Sequence, residues 1–448
     1  VKSLLFTVLL AALVLRLSLF FAIRNNDPRN FRQPDSGVYL LLADNLLKTS
    51  LFSSSEKSPY SPEYNRTPAY PVFLSVLKIF GAGDNSIILF QIAMSVGFVF
   101  MIMHFCRYFL GLSAQACALA GALVALDIPT IVLANSILTE TLATFLLLAG
   151  VYFVALYIRT RAITALVPAS IMFGLCSLCR PSAMLLPVFI AAALFALKRS
   201  FSAKNFTAAI VFLLGYVLVI SPWLARNNAI FGGPFLSTIS YDNLLYVQAA
   251  GVLSVAEKIS LEQAADNLLR EFNARHADAV KNGTLLTIKK LEGVDAFAVI
   301  TSHPFYFAAN YARSVLNMLL RPIRNDIDIM LGYTRSHGTL EIWGNNEPGG
   351  FFSRLLGSTS RFTIILCVFQ LLILLAAYSL AGAGVVRGFS GGEPFIAVLF
   401  SVIVYFCLVS GAPETYARFR VPIMPFIAIL SAAGLENIIN RANGRNAV

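Results

Sequence analysis

The sequence predicts an all-α polytopic membrane protein, a bundle of about ten transmembrane helices with further helices lying along its outer surface. Three observations predict it. Of 448 residues, 57% are hydrophobic and 13% charged, and the mean hydropathy is +0.73, which excludes an ordinary water-soluble enzyme and a disordered chain. The apolar residues gather in runs near the roughly 20 residues that a membrane-crossing helix needs. Lys and Arg fall between those runs in an alternating pattern.

The runs give spans near Leu4 to Ile23, Ile87 to Phe109, Ala114 to Ala134, Thr139 to Ile158, Ile163 to Leu178, Ala183 to Leu197, Phe206 to Ala225, Phe362 to Val386, Phe395 to Val409 and Val421 to Ile439. The first run lacks a small-residue cleavage site and reads as a retained helix. With the N-terminus inside, Lys2, Arg107, Arg159, Arg161, Lys198, Arg199, Lys204, Arg387, Arg441 and Arg445 all face the cytoplasm. That assignment satisfies every short loop and puts both termini inside the plasma (inner) membrane. The hydrophilic segments 24–86 and 226–361 then lie outside, together with Ser136, Arg180 and residues 412–420. The organisation read from this is a transmembrane module over 1–230 carrying the first outer loop, a large outer loop over 226–361, and C-terminal helices over 362–448.

Within the first outer loop, Asp35-Ser36-Gly37 precedes an apolar helix over 38–47, and Tyr70 to Phe80 is too short to span. In the second, Leu261 to His276 has helical spacing, while Asn325 to Gly350 is rich in Gly, Asn and Asp and reads as an irregular lid. The formal charge of +11, from 34 Lys+Arg against 23 Asp+Glu, points to membrane phosphates rather than nucleic acid. The six cysteines, Cys176-x-x-Cys179 among them, lie in or beside apolar runs and read as buried helix residues. No zinc-ligand spacing relates the four histidines, and no metal or cofactor is expected.

The chemistry is expected at the outer face. Asp35 and Glu140 each stand at a helix start, where a carboxylate is stabilised by free N–H groups; capping is the bland reading of both. Arg66, Arg180, Arg226, Arg418 and Arg420 share that face. Any one of them suits headgroup anchoring, but several beside two acids suit an anionic lipid headgroup, because guanidinium binds phosphate oxygens through paired hydrogen bonds. Asp326-Ile327-Asp328 has a D-x-D pattern but falls in an outer loop, away from cytoplasmic nucleotide sugars, and reads as solvated. His303 to Leu320 reads as an amphipathic run packed on the bundle.

Asp35 with Tyr39 and Leu40-Leu41-Leu42-Ala43-Asp44-Asn45-Leu46-Leu47, then Arg66-Thr67-Pro68-Ala69-Tyr70-Pro71, Leu138-Thr139-Glu140-Thr141, Arg180-Pro181 and Arg418-Phe419-Arg420-Val421-Pro422, resembles the GT-C membrane glycosyltransferases. Family 39 and its relatives, the protein O-mannosyltransferases and the lipid A aminoarabinose transferase, are the nearest match. The resemblance implies inverting transfer of a sugar from a polyprenyl-phosphate-linked donor to an extracytoplasmic acceptor. It makes Asp35 the general base or acceptor-orienting acid, Glu140 the second acid, and Arg66 a contact of the donor phosphate. Ser36 departs from the family's frequent paired acidic motif, in which Glu is common. Tyr39, Tyr70 and His337 are weaker candidates for substrate contact. The alternative readings are a transporter or flippase of lipid-linked saccharides, which would show repeats and midplane polar sites, and a noncatalytic scaffold. Arg16, inside the first span, is the exception to the outer-face pattern and is expected to snorkel or pair.

Overall fold

The computed structural model describes residues 2–196, 203–332, 360–412 and 415–442. Among these the chain is helical, with one antiparallel bridge between Ser53 and Pro62. In order the helices are α1 (Lys2–Asn26), α2 (Ser36–Thr49), α3 (Ala69–Ile79), α4 (Asp84–Tyr108), α5 (Ala114–Ala125), α6 (Ile128–Ala134), α7 (Glu140–Thr160), α8 (Leu166–Cys179), α9 (Leu186–Ala196) and α10 (Ala203–Phe231). The large loop holds α11 (Ile239–Asn243), α12 (Ala250–Glu257), α13 (Leu261–Arg275), α14 (Ala277–Asn282), α15 (Leu285–Ser302), α16 (Pro304–Leu320) and α17 (Arg324–Met330). The chain then runs through α18 (Arg361–Ser390), α19 (Pro394–Val409), a 3-10 turn (Ala417–Ile423) and α20 (Met424–Ala442).

Each expected span is a helix, but the spans are not uniform. Among the described residues, six helices are long and apolar enough to cross a membrane, and they account for the multi-pass reading. The stretches containing α8, α9 and α19 are apolar but shorter, at 10–17 residues. The expected span 114–134 is broken into α5 and α6, bent by 58°. Asp127 causes the break: its carboxylate accepts from Thr130 N at 3.0 Å, and Pro129 in the first turn removes a donor the continuing helix would need.

A break inside a bilayer must satisfy its own backbone, and two side chains do so here. Arg16, fully buried, donates to the α5 carbonyls of Ala125 and Val124 at 3.3 Å each and to Ser95 Oγ at 2.7 Å. Gln370 of α18 accepts from Ile128 N at 2.8 Å and donates to Asp127 Oδ1 at 2.8 Å. Arg16 therefore pairs rather than snorkels.

Outside, the bundle is apolar: Leu218 is 73% exposed and Leu372 62%, as lipid-facing positions are. Inside, α18 crosses α20 closely, because a methyl on Gly384 or Gly434 would overlap the carbonyl oxygens of Leu430 or Leu380. The helices α11 to α15 bury a separate small core around Leu245, Leu268 and Phe272. The helix expected over 261–276 is there, opened by a capping box of Ser260 and Gln263. The expected irregular lid begins instead as α17; its stretch 333–350, with His337, lies outside the described residues.

Candidate functional site

Asp35 stands directly before α2, yet it does not cap the helix: its side chain makes no capping hydrogen bond. Ser36 fastens that corner instead, accepting from Gln33 N at 2.9 Å and donating to Ile137 O at 2.8 Å. The Asp35 carboxylate is thereby left for side chains. Oδ1 accepts from Arg66 at 2.9 Å, and Oδ2 from Arg418 at 3.1 Å. The Arg66 guanidinium lies 5.5 Å from the Tyr39 ring centroid, a cation–π contact that fixes its direction.

Arg418 carries the chain of charges onward. Its Nε donates to Glu140 Oε1, and the same oxygen receives Arg180 Nη1, which also donates to Thr139 Oγ1 at 3.1 Å. Glu140 is completely buried, whereas 32% of the Asp35 side chain is exposed. Five residues from five separate stretches thus form one relay, Arg66–Asp35–Arg418–Glu140–Arg180. A carboxylate in the first turn of α7 is further favoured by the helix dipole.

The other expected residues are placed differently. Arg226 donates to Glu63 O at 2.8 Å and Asn227 Oδ1 at 2.7 Å and lies 4.7 Å from the Trp223 ring centroid, pinning the segment between α2 and α3 to α10. Arg420 is fully buried and donates to the carbonyls of Met318, Leu319 and Arg321 at 2.9–3.3 Å. Tyr70 is buried, its hydroxyl on Gln91 Oε1 at 2.8 Å and its ring edge-on to Tyr39 at 5.3 Å. These three side chains bond within the protein, and none lines the cavity described below. Cys176 and Cys179 lie against the α7 carbonyls of Ala143 and Thr139, at 3.5 and 3.6 Å, as buried helix thiols do.

The exposed side of the relay opens on a cavity of about 1230 Å³ lined by Asp35, Arg418, Tyr416, residues of α16 and α17, and the start of α18. That is at or above the upper end of small-molecule pockets. Its α18 wall is apolar, with Ile364, Val368 and Leu371. Asp326 also lines it, so the D-x-D segment is docked rather than solvated, and Asp328 accepts from Thr363 Oγ1 of α18 at 2.6 Å. Only the short helix α17 makes this possible, and nothing in residues 325–350 read as loop announces it.

Burial pushes the Asp326 carboxyl up from 3.8 to about 6; Arg418 opposes the rise and Glu140 adds to it. Folded Asp326 therefore holds its proton where the unfolded chain has lost it. Its contribution to stability is fully present below 3.8 and falls as pH rises through about 6. Thermal unfolding between those limits is expected to show this slope in the wild type and lose it in Asp326→Asn.

Comparison with known proteins bears on the fold. The family model described as dolichyl-phosphate-mannose-protein mannosyltransferase matches residues 65–225, from beside Arg66 through α3 to α10. The archaeal oligosaccharyltransferase AglB of Archaeoglobus fulgidus, solved with an inhibitory peptide and a dolichol-phosphate, superposes at a TM-score of 0.53 and 15% identity, covering 100% of this chain and 53% of that one. The bundle is a GT-C fold. A second structure of the A. fulgidus oligosaccharyltransferase, a complex with Zn and sulfate, matches this GT-C chain at 0.54 and 14% identity, over 98% of it and 50% of that chain. ArnT of Cupriavidus metallidurans bound to undecaprenyl phosphate matches at 0.36 and 12% identity, over 96% and 78%. The chain spans about half the length of the oligosaccharyltransferases it matches. No curated protein sequence matches it.

Proposed function

We propose that this GT-C protein is an integral membrane glycosyltransferase, moving a sugar from a polyprenyl-phosphate-linked donor to an extracytoplasmic acceptor with inversion at the anomeric carbon. The relay Arg66–Asp35–Arg418–Glu140–Arg180, whose Asp35 and Arg418 line a largely apolar cavity, carries this reading. An acceptor hydroxyl attacks C1 of the sugar, the bond from C1 to the phosphate oxygen breaks, and Asp35 accepts the hydroxyl proton. The electron pair leaves with the lipid phosphate, whose added charge Arg418 and Arg66 stabilise from fixed positions. Glu140 holds Arg418 and Arg180 in place from below. The prenyl chain follows Ile364, Val368 and Leu371 out to the lipid-facing side of α18.

The match to a dolichyl-phosphate-mannose transferase family over 65–225 supports a lipid-linked donor, and the Lys and Arg of the short loops support cytoplasmic termini and an outer-face site in the plasma membrane. The flippase reading gains little from the bent pair α5–α6, because its freed polar groups are used up by Arg16 and Gln370. Purified protein in nanodiscs, given undecaprenyl-phosphate sugars and a glycan, lipid or peptide acceptor, is expected to release undecaprenyl phosphate and glycosylated acceptor, read by mass spectrometry. Movement of intact donor across the bilayer without cleavage would instead establish a flippase.

A further inference from the structure

Among the described residues, the cations lining the cavity are not equally neutralised. Arg418 is shared between two carboxylates, and Arg32 pairs with Asp84 at 2.6 Å. On the α16 wall, Arg313, Asn317 and Arg321 also line the cavity. They recur at i, i+4 and i+8, on one face of the helix and its C-terminal cap, a row about 12 Å long at 1.5 Å per residue. None of the three side chains makes a hydrogen bond or ion pair with another described residue.

A cation at a helix C-terminus ordinarily serves the terminal carbonyls. That office is already filled. Arg420 donates to the carbonyls of Met318, Leu319 and Arg321, and Tyr378 Oη reaches Leu319 O at 2.6 Å. Arg321 is thus released from capping and left facing the cavity. Burial, and then Arg324, pull its pKa below the ordinary value, and Tyr416 and Asp326 oppose the drop without offsetting it. Two guanidiniums flanking a carboxamide offer donors that no hydrogen bond among the described residues takes up, the complement of an oxyanion.

We propose that Arg313, Asn317 and Arg321 form a second anion subsite in the cavity, taking a phosphate-type oxyanion distinct from the donor phosphate at Arg418. This rests on the transferase reading for the first anion only. The second has two sources of one chemistry: a second phosphate on the lipid carrier, or an anionic group on the acceptor.

The full chain in phosphatidylcholine nanodiscs, with Arg321→Gln and Arg313→Gln made singly, is titrated with undecaprenyl phosphate, with undecaprenyl diphosphate, and with glucose 6-phosphate against glucose. Monophosphate affinity is expected to stay within about twofold, while a probe reaching the second subsite weakens about 10- to 100-fold, the scale of one charge-assisted hydrogen bond. A loss confined to the diphosphate assigns the subsite to the carrier; one confined to glucose 6-phosphate assigns it to the acceptor. If both folded variants keep wild-type affinity for both probes, the subsite is overturned. If wild type binds no polyprenyl phosphate yet glucose 6-phosphate binding still depends on Arg321, the transferase reading falls and the subsite stands.

Discussion

Glu140→Gln is expected to lower stability by about 3–5 kcal/mol, the cost of stripping one partner from a buried ion cluster, and to abolish transfer with it. The magnitude follows from the ledger at one atom. Glu140 Oε1 receives both Arg180 and Arg418 at a site with no solvent exposure on the acid. A neutral carboxamide is nearly the same size, so packing is kept, but two guanidiniums lose their buried counter-charge. Arg418 then keeps only Asp35, and the group proposed to meet the leaving phosphate loses its fixed direction.

The double variant Glu140→Gln/Arg180→Gln separates the causes. Removing one orphaned cation should recover part of the stability, giving a coupling of the size seen for neighbours in one network, but not the activity. Unfolding followed by tryptophan fluorescence in matched nanodiscs reads the first, and single-turnover transfer the second. A Glu140→Gln protein with wild-type unfolding would mean that the cluster contributes nothing, against the burial described above.

Much of this site was legible because charge inside a membrane protein is costly and therefore informative. Asp35, Glu140, Arg66, Arg180 and Arg418 stood out as polar residues at apolar helix ends, and the fold brings all five into one relay. Their side-chain directions were not legible. Arg420 lies two residues from Arg418, and in the 3-10 turn Ala417–Ile423 that spacing sends one guanidinium to the acids and the other to the end of α16. Arg226 looked equally available until the loop carbonyl of Glu63 came within reach. Tyr70 fits the family pattern, but its hydroxyl is taken by Gln91.

What the sequence concealed was mostly the second wall of the cavity. The amphipathic pattern of Pro304–Leu320 correctly announced a helix, and its packing against the 3-10 turn and α12 matches the expected docking on the bundle. The pattern cannot tell which polar residues face a cavity, so it does not single out the row Arg313, Asn317, Arg321. Asp326 was hidden for a related reason: it lines the cavity together with α18 and Arg418, both distant in the chain. Span lengths were blurred where a polar residue breaks an apolar run, as Asp127 does.

Asp35→Asn tests the chemistry with the least structural disturbance, and transfer is expected to fall by about 10²- to 10⁴-fold, the range for losing a positioned acid or base. The substitution keeps shape and one acceptor oxygen. Asp35 is about one-third exposed, so its pairs with Arg66 and Arg418 are partly screened and contribute little to folding; unfolding should shift far less than for Glu140→Gln. Donor binding should persist or tighten slightly, since two guanidiniums lose a competing carboxylate. This split, with kcat collapsed and donor affinity kept, distinguishes a group acting in the transition state from one that binds the ground state. A merely structural Asp35 would instead weaken donor binding and stability together while sparing kcat, because Arg418 would drift from the cavity wall. Lipid-donor titration and single-turnover rates on the same nanodisc preparation decide between them, and transfer within a few fold of wild type would remove Asp35 from the reaction.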